Sequence, residues 1–125
     1  MVSSPGDTTR TLVVDDDDLV RAVLRSALER IGHEVIEASA GDAAVAVCDA
    51  ASFDLVIVDA RMPGLTLDQT LGGIRSTQEA HQPGILVISG APVDGTVLEK
   101  HNAGYLAKPV DLRDFLSAVR LAVAS

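Results

Sequence analysis

Aromatic side chains are nearly missing from this sequence: it has no tryptophan, one tyrosine and two phenylalanines, together 2% of 125 residues. Stacking platforms for bases or sugars are therefore scarce. The core has to come from Ala, Val, Leu and Ile, within a 47% hydrophobic fraction, which suits helices packed on a β-branched parallel sheet. Positive charge is also short. Ten basic against eighteen acidic side chains leave a formal net charge of -8, a field that repels nucleic acid and anionic membranes, so direct binding to either is not expected. A lone Cys48 excludes an internal disulfide, and its Ala and Val neighbours suit a buried thiol. No apolar run reaches the length of a membrane span, and residues 1–9 lack the apolar stretch of a secretion signal. A cytoplasmic location is the expectation. With no repeat, low-complexity tract or later linker, one domain is expected over residues 10–125, after an extended or disordered tail at 1–9, and any effector is another molecule.

What is present is alternation. Short β-branched runs at 11–14, 34–38, 54–58, 84–88 and 105–107 are separated by helical patterns, the signature of βα units and a parallel sheet. Val20, Val23, Leu24, Ala27, Leu28 and Ile31 form a first apolar stripe stopped by Gly32. Ser39 with Asp42, and Thr66 with Gln69, read as capping boxes opening the second and third helices. Asp111 caps a last helix whose stripe is Leu112, Phe115, Leu116 and Val119. The fourth unit is poorer, since Pro92 and Gly95 leave about two helical turns, near 96–101. Right-handed crossovers put helices on both faces, giving a three-layer α/β sandwich with its ligand site beyond the carboxyl ends of the strands.

The polar residues gather at those ends. The first strand runs into Asp15, Asp16, Asp17 and Asp18, and the third delivers Asp59. Asp17 or Asp18 has a plain role as a helix cap. Asp15, Asp16 and Asp59 crowd one edge, where like charges persist only if protons or a cation compensate them. Hard oxygen donors without Cys or suitably spaced His point to Mg2+, and a carboxylate beside it can act as a phosphoryl acceptor. Ser89 ends the fourth run and Lys108 the fifth. Each alone is an ordinary turn or surface residue. Together with the carboxylates they make a full set for a phosphoryl group and its metal.

Four strings in this order, Leu-Val-Val-Asp-Asp at 12–16, Asp-Ala-Arg-Met-Pro-Gly at 59–64, Ser-Gly at 89–90 and Tyr-Leu-Ala-Lys-Pro at 105–109, resemble the receiver domains of bacterial two-component response regulators. The resemblance implies a flavodoxin-like fold with strand order 2-1-3-4-5. It implies that Asp59 accepts a phosphoryl group from a histidine kinase or phosphotransfer protein. Mg2+ would be held by Asp15, Asp16, Asp59 and the main-chain carbonyl of Arg61. Lys108 and Ser89 would contact the phosphoryl oxygens, Tyr105 would follow Ser89 inward, and the Lys108–Pro109 peptide would be cis. Such a protein would be a switch read by a downstream partner protein, not an enzyme, and the short fourth helix adds the expectation of a monomer or weak dimer.

Three departures from the family stand out. Leu67 occupies a position that commonly holds Gly in the loop after the acceptor strand. The fourth helix is about one turn short, and His101 replaces a usual Gly before the fifth strand. His33, His81 and His101 lack metal-ligand spacing and read as exposed polar residues. Two rival functions remain: a phosphate-independent pseudo-receiver that only binds partners, and a Mg2+-dependent phosphohydrolase.

Overall fold

Each β-branched run forms a strand, and every pairing between them is parallel. The computed structural model describes residues 8–77 and 80–124. In chain order the elements are β1 (Arg10–Val14), α1 (Asp18–Arg30), β2 (Glu34–Ala38), α2 (Gly41–Ala50), β3 (Leu55–Asp59), α3 (Leu67–Thr77), β4 (Gly84–Ser89), α4 (Gly95–Lys100), β5 (Ala103–Ala107) and α5 (Leu112–Ala124). The sheet order is β2-β1-β3-β4-β5, with the shortened fourth helix. Residues 1–7 of the expected tail lie outside the described residues. Thr9 already accepts a hydrogen bond from the Glu34 N–H at 2.9 Å, so pairing starts just before β1.

Strand parity builds two cores. Leu12, Val14, Val56, Val58, Ile85 and Val87 face one side, with Leu71 and Ile74 of α3 and Ala44 and Cys48 of α2. Val13, Leu55, Ile57, Leu86 and Ile88 face the other, against Leu24 and Leu28 of α1 and Phe115 and Val119 of α5. Both faces are covered, so the strands read as unbroken apolar runs. Burial pushes the Cys48 thiol up to about 11, as expected of an inert core residue. No helix among the described residues is long and apolar enough to cross a membrane.

The ends of the helices follow the sequence in most places. Asp17 caps α1, Thr66 and Gln69 exchange both bonds of a capping box on α3, and Asp111 accepts from the N–H groups of Arg113 and Asp114. Asp94 caps α4. The capping box expected from Ser39 and Asp42 does not form: α2 starts after Ala40, with no side-chain cap. Three residues assigned to apolar stripes, Val23, Ile31 and Leu112, are exposed, because these stripes are narrower than the periodicity suggests. Leu67 is the first residue of α3 and lies outside the loop. The turn there falls on Gly64 (φ +95°), a left-handed conformation that costs a residue without Cβ nothing.

Of the three histidines expected to be exposed, only His81 is. His33 is partly buried, with Nδ1 2.8 Å from the Thr11 hydroxyl, while His81 is exposed beside Asp54. His101 is buried at the end of α4, 8% exposed. It lies in a socket on α3. Its Nε2 is 2.6 Å from Asp68 Oδ1, its ring packs over Gly72, and Arg75 donates to its carbonyl at 2.9 and 2.7 Å. Positions 68, 72 and 75 share one helix face. Arg75 also donates to the carbonyls of Pro83 and Asn102, and Lys100 joins Asp68 at 3.2 Å. The left-handed residue that ends α4 is Asn102 (φ 52°), a residue type that tolerates this conformation.

Candidate functional site

Five parallel strands end at one edge of the sheet, and the polar residues singled out in the sequence meet there. β1 stops at Val14, so Asp15 and Asp16 stand just past it, while Asp59 is the last residue of β3. The Asp15 N–H is held by the Ala38 carbonyl at 3.2 Å. Its Oδ1 accepts the Asp17 N–H at 2.9 Å, and its Oδ2 lies 3.4 Å from Lys108 Nζ. Asp59 Oδ1 accepts the Arg61 N–H at 3.1 Å, and its Oδ2 lies 3.3 Å from the same Nζ. One ammonium thus bridges two buried carboxylates. Asp16 is exposed and its carboxylate has no hydrogen-bond partner among the described residues, yet it belongs to the group. Asp15, Asp16 and Asp59 each offer an oxygen within 4.8 Å of the others.

The charges respond to this crowding. Burial pushes the Asp15 carboxyl above the usual carboxylate range, and the charge on Asp59 adds to that, against the lowering by the Asp17 N–H and Lys108. Burial pulls the Lys108 ammonium down, but the facing charges of Asp15 and Asp59 outweigh it and hold the group above its ordinary value. An acidic cluster with one neutralising lysine carries an excess of negative charge.

Ser89 ends β4, buried, and its hydroxyl is engaged locally: it donates to the Ala91 carbonyl at 2.7 Å and accepts the Ala91 N–H at 3.1 Å. The Tyr105 hydroxyl reaches the same carbonyl at 3.5 Å, with the side chain 41% exposed. Ala91 O is therefore shared by two hydroxyls from neighbouring strands. The Lys108 N–H bonds the Ser89 carbonyl at 2.8 Å, and the following peptide to Pro109 is cis.

One residue with a part in this edge was not found in the sequence. Arg21 of α1, beneath the Asp15 turn, donates to the Asp15 carbonyl and to Asp18 and Glu37. Glu37 was the available signal, as a charged residue inside a short strand needs a partner.

A conserved-domain profile described as the response regulator receiver domain matches residues 11–120. The chain belongs to that family. Among its relatives, response regulator UvrY of Escherichia coli is 38% identical over 112 residues, which are 87% of this chain and 51% of UvrY. The receiver domain described here thus spans about half the length of that relative. Chemotaxis protein CheY4 of Vibrio cholerae has a TM-score of 0.85 and 25% identity, over 93% of this chain and 99% of its own. The receiver domain of a sensor histidine kinase from Pseudomonas aeruginosa, with a magnesium ion coordinated in its active site cleft, matches at a TM-score of 0.80. It is 22% identical, over 95% of this chain and 100% of that one, a likeness of fold.

Proposed function

We propose that this receiver domain is a phosphorylation-dependent switch in which Asp59 takes a phosphoryl group from a histidine kinase or phosphotransfer protein. The observation that carries this reading is the placement of Asp59: last residue of a buried central strand, 3.3 Å from Lys108 and grouped with Asp15 and Asp16. The donor set fits Mg2+. All candidate ligands are hard oxygens, and the three carboxylates each offer one within 4.8 Å of the others. Asp15, Asp16, Asp59 and the Arg61 carbonyl would hold the ion. Once bound, Mg2+ supplies charge neutralisation for the transferred group.

The residues of the chain do the rest. An Asp59 carboxylate oxygen attacks phosphorus, the P–N bond of the phosphohistidine breaks, and its electron pair returns to the imidazole, leaving an acyl phosphate on Asp59. Lys108, held protonated, pairs with a phosphoryl oxygen in place of Asp59 Oδ2. Ser89 leaves Ala91 and donates to another phosphoryl oxygen, which gives up one of the two bonds on the Ala91 carbonyl. Tyr105 then loses the arrangement that holds its hydroxyl outward and turns in behind Ser89. This reading makes the protein a switch acting on a downstream partner protein, without turnover of free substrates.

Acetyl phosphate with Mg2+, followed by intact mass, tests it. A single phospho-adduct is expected on the wild type and none on Asp59→Asn. An adduct mapped to Asp16 or Asp17 would overturn the assignment, no adduct at all would leave a pseudo-receiver, and turnover of varied phosphomonoesters would indicate a hydrolase.

A further inference from the structure

The acidic edge lies on the connection between β1 and α1, outside any regular element, so its shape depends on the individual bonds that hold it. Asp15 is fixed at its N–H by Ala38 and at its carboxylate by Asp17 and Lys108. Its carbonyl is fixed by Arg21, whose Nη1 donates to it at 2.6 Å. That carbonyl belongs to the peptide plane shared with Asp16. Holding it sets the direction in which the backbone presents the Asp16 carboxylate, the member of the cluster with no hydrogen bond among the described residues.

The guanidinium is itself held. Its Nε donates to Glu37 Oε1 at 3.0 Å and its Nη2 to Asp18 Oδ1 at 2.5 Å, with the side chain 14% exposed. Glu37 is fixed from its other oxygen by Arg25 Nη1 at 2.7 Å. The three Arg21 bonds use a planar fork on three acceptors in different directions, which an ammonium on a flexible stem does not reproduce.

We propose that Arg21 is a positioning residue for cation binding at the acidic edge: through the Asp15 carbonyl it sets the backbone that presents Asp16. This rests on the reading of that edge as a Mg2+ site. Residues behind a metal's own ligands typically change affinity 10- to 100-fold when removed. The charge of Arg21 works the other way, since a nearby cation repels Mg2+. The two effects have opposite signs and offset each other in Arg21→Met, while Arg21→Lys keeps the charge and isolates the positioning.

The test is titration of Mg2+ alone by calorimetry into the wild type, Arg21→Met, Arg21→Lys and Arg25→Met, with urea unfolding of each. Positioning predicts that Arg21→Lys binds Mg2+ about tenfold more weakly and Arg21→Met more weakly by a smaller factor, both with shifted amide signals at residues 15–17. Arg25→Met, which loosens Glu37 behind Arg21 but leaves the Arg21 bond to the Asp15 carbonyl in place, weakens binding less than either Arg21 variant. Tighter binding by Arg21→Met with unchanged binding by Arg21→Lys would mean that only charge matters. Lower stability of both Arg21 variants with unchanged Mg2+ affinity would mean a structural role only. Either result overturns the proposal. If Arg21→Met does not fold, Arg21→Lys decides between these outcomes. No binding by the wild type would instead sink the Mg2+ reading beneath it.

Discussion

β3 and β5 are parallel strands of one sheet, yet they are held in different ways. β3 is buried at each of its five positions, from Leu55 to Asp59. β5 is an edge strand with Gly104, Tyr105 and Ala107 exposed, and the helix before it, α4, has no buried residue. Apolar packing from both sides fixes the strand that carries Asp59. The α4–β5 junction, where Val97, Leu98 and Ala103 are only partly buried against the core, relies in addition on polar bonds: the His101 socket and the carbonyl contacts of Arg75. Packed interiors resist small displacements, while a few hydrogen bonds can be exchanged one for another. The proposed reacting carboxylate thus sits on the immobile half, and the residues proposed to respond sit on the exchangeable half.

The largest expected effect contrasts the two strands directly. Ile57→Ala, at a site 1% exposed, should cost about 3–4 kcal/mol in urea unfolding. Leu106→Ala on β5, half-buried, should cost about 1 kcal/mol. Equal costs would remove the contrast.

A smaller and more local effect is expected at the junction. Arg75→Met deletes donors to three carbonyls and should cost about 2 kcal/mol. Hydrogen exchange should quicken at residues 95–107 and stay slow in β1 and β3. Acceleration spread through the whole sheet would show that the junction is not a separate unit. With beryllofluoride bound, the wild type should change protection at 91–98 and hold it at 101–102, the socketed end. A change centred on His101 would argue against a pinned junction.

The smallest effect sharpens the immobile side. Burial pulls the His33 imidazole below its ordinary value, partly offset by the charge on Asp54. A group whose pKa is lower in the folded state gives stability that is complete above its unfolded value, near pH 6.5, and is lost as pH falls through the folded value. Stability should therefore decline between pH 7.5 and 5.5, with part of that decline missing in His33→Gln. Identical slopes would mean that His33 does not titrate across folding.

The sequence made the sheet and its reactive edge legible because both depend on short-range pattern. β-branched runs mark strands, and a parallel sheet delivers the residue after each run to one side, so Asp15, Asp16, Asp59, Ser89 and Lys108 could be grouped without coordinates. The reading failed where the partner is distant. Nothing near His101 announces Asp68, 33 residues earlier, or the bare patch at Gly72 that admits the imidazole. The same holds for Arg21 of α1, whose Glu37 partner is on β2. Ser39 and Asp42 show the converse error, a local motif that tertiary context leaves unused when α2 begins after Ala40.

The exposed hydroxyl beside Ala91 has a spectroscopic consequence. With no tryptophan and a single tyrosine in the chain, emission excited beyond the phenylalanine absorption band comes from residue 105. Quenching by acrylamide, anisotropy and emission yield then all describe one side chain on β5, with no label to attach and no background to subtract. If Tyr105 moves inward when Asp59 is modified, the quencher loses access in step with phosphoryl transfer, and a stopped-flow fluorimeter can time the switch in the unaltered protein.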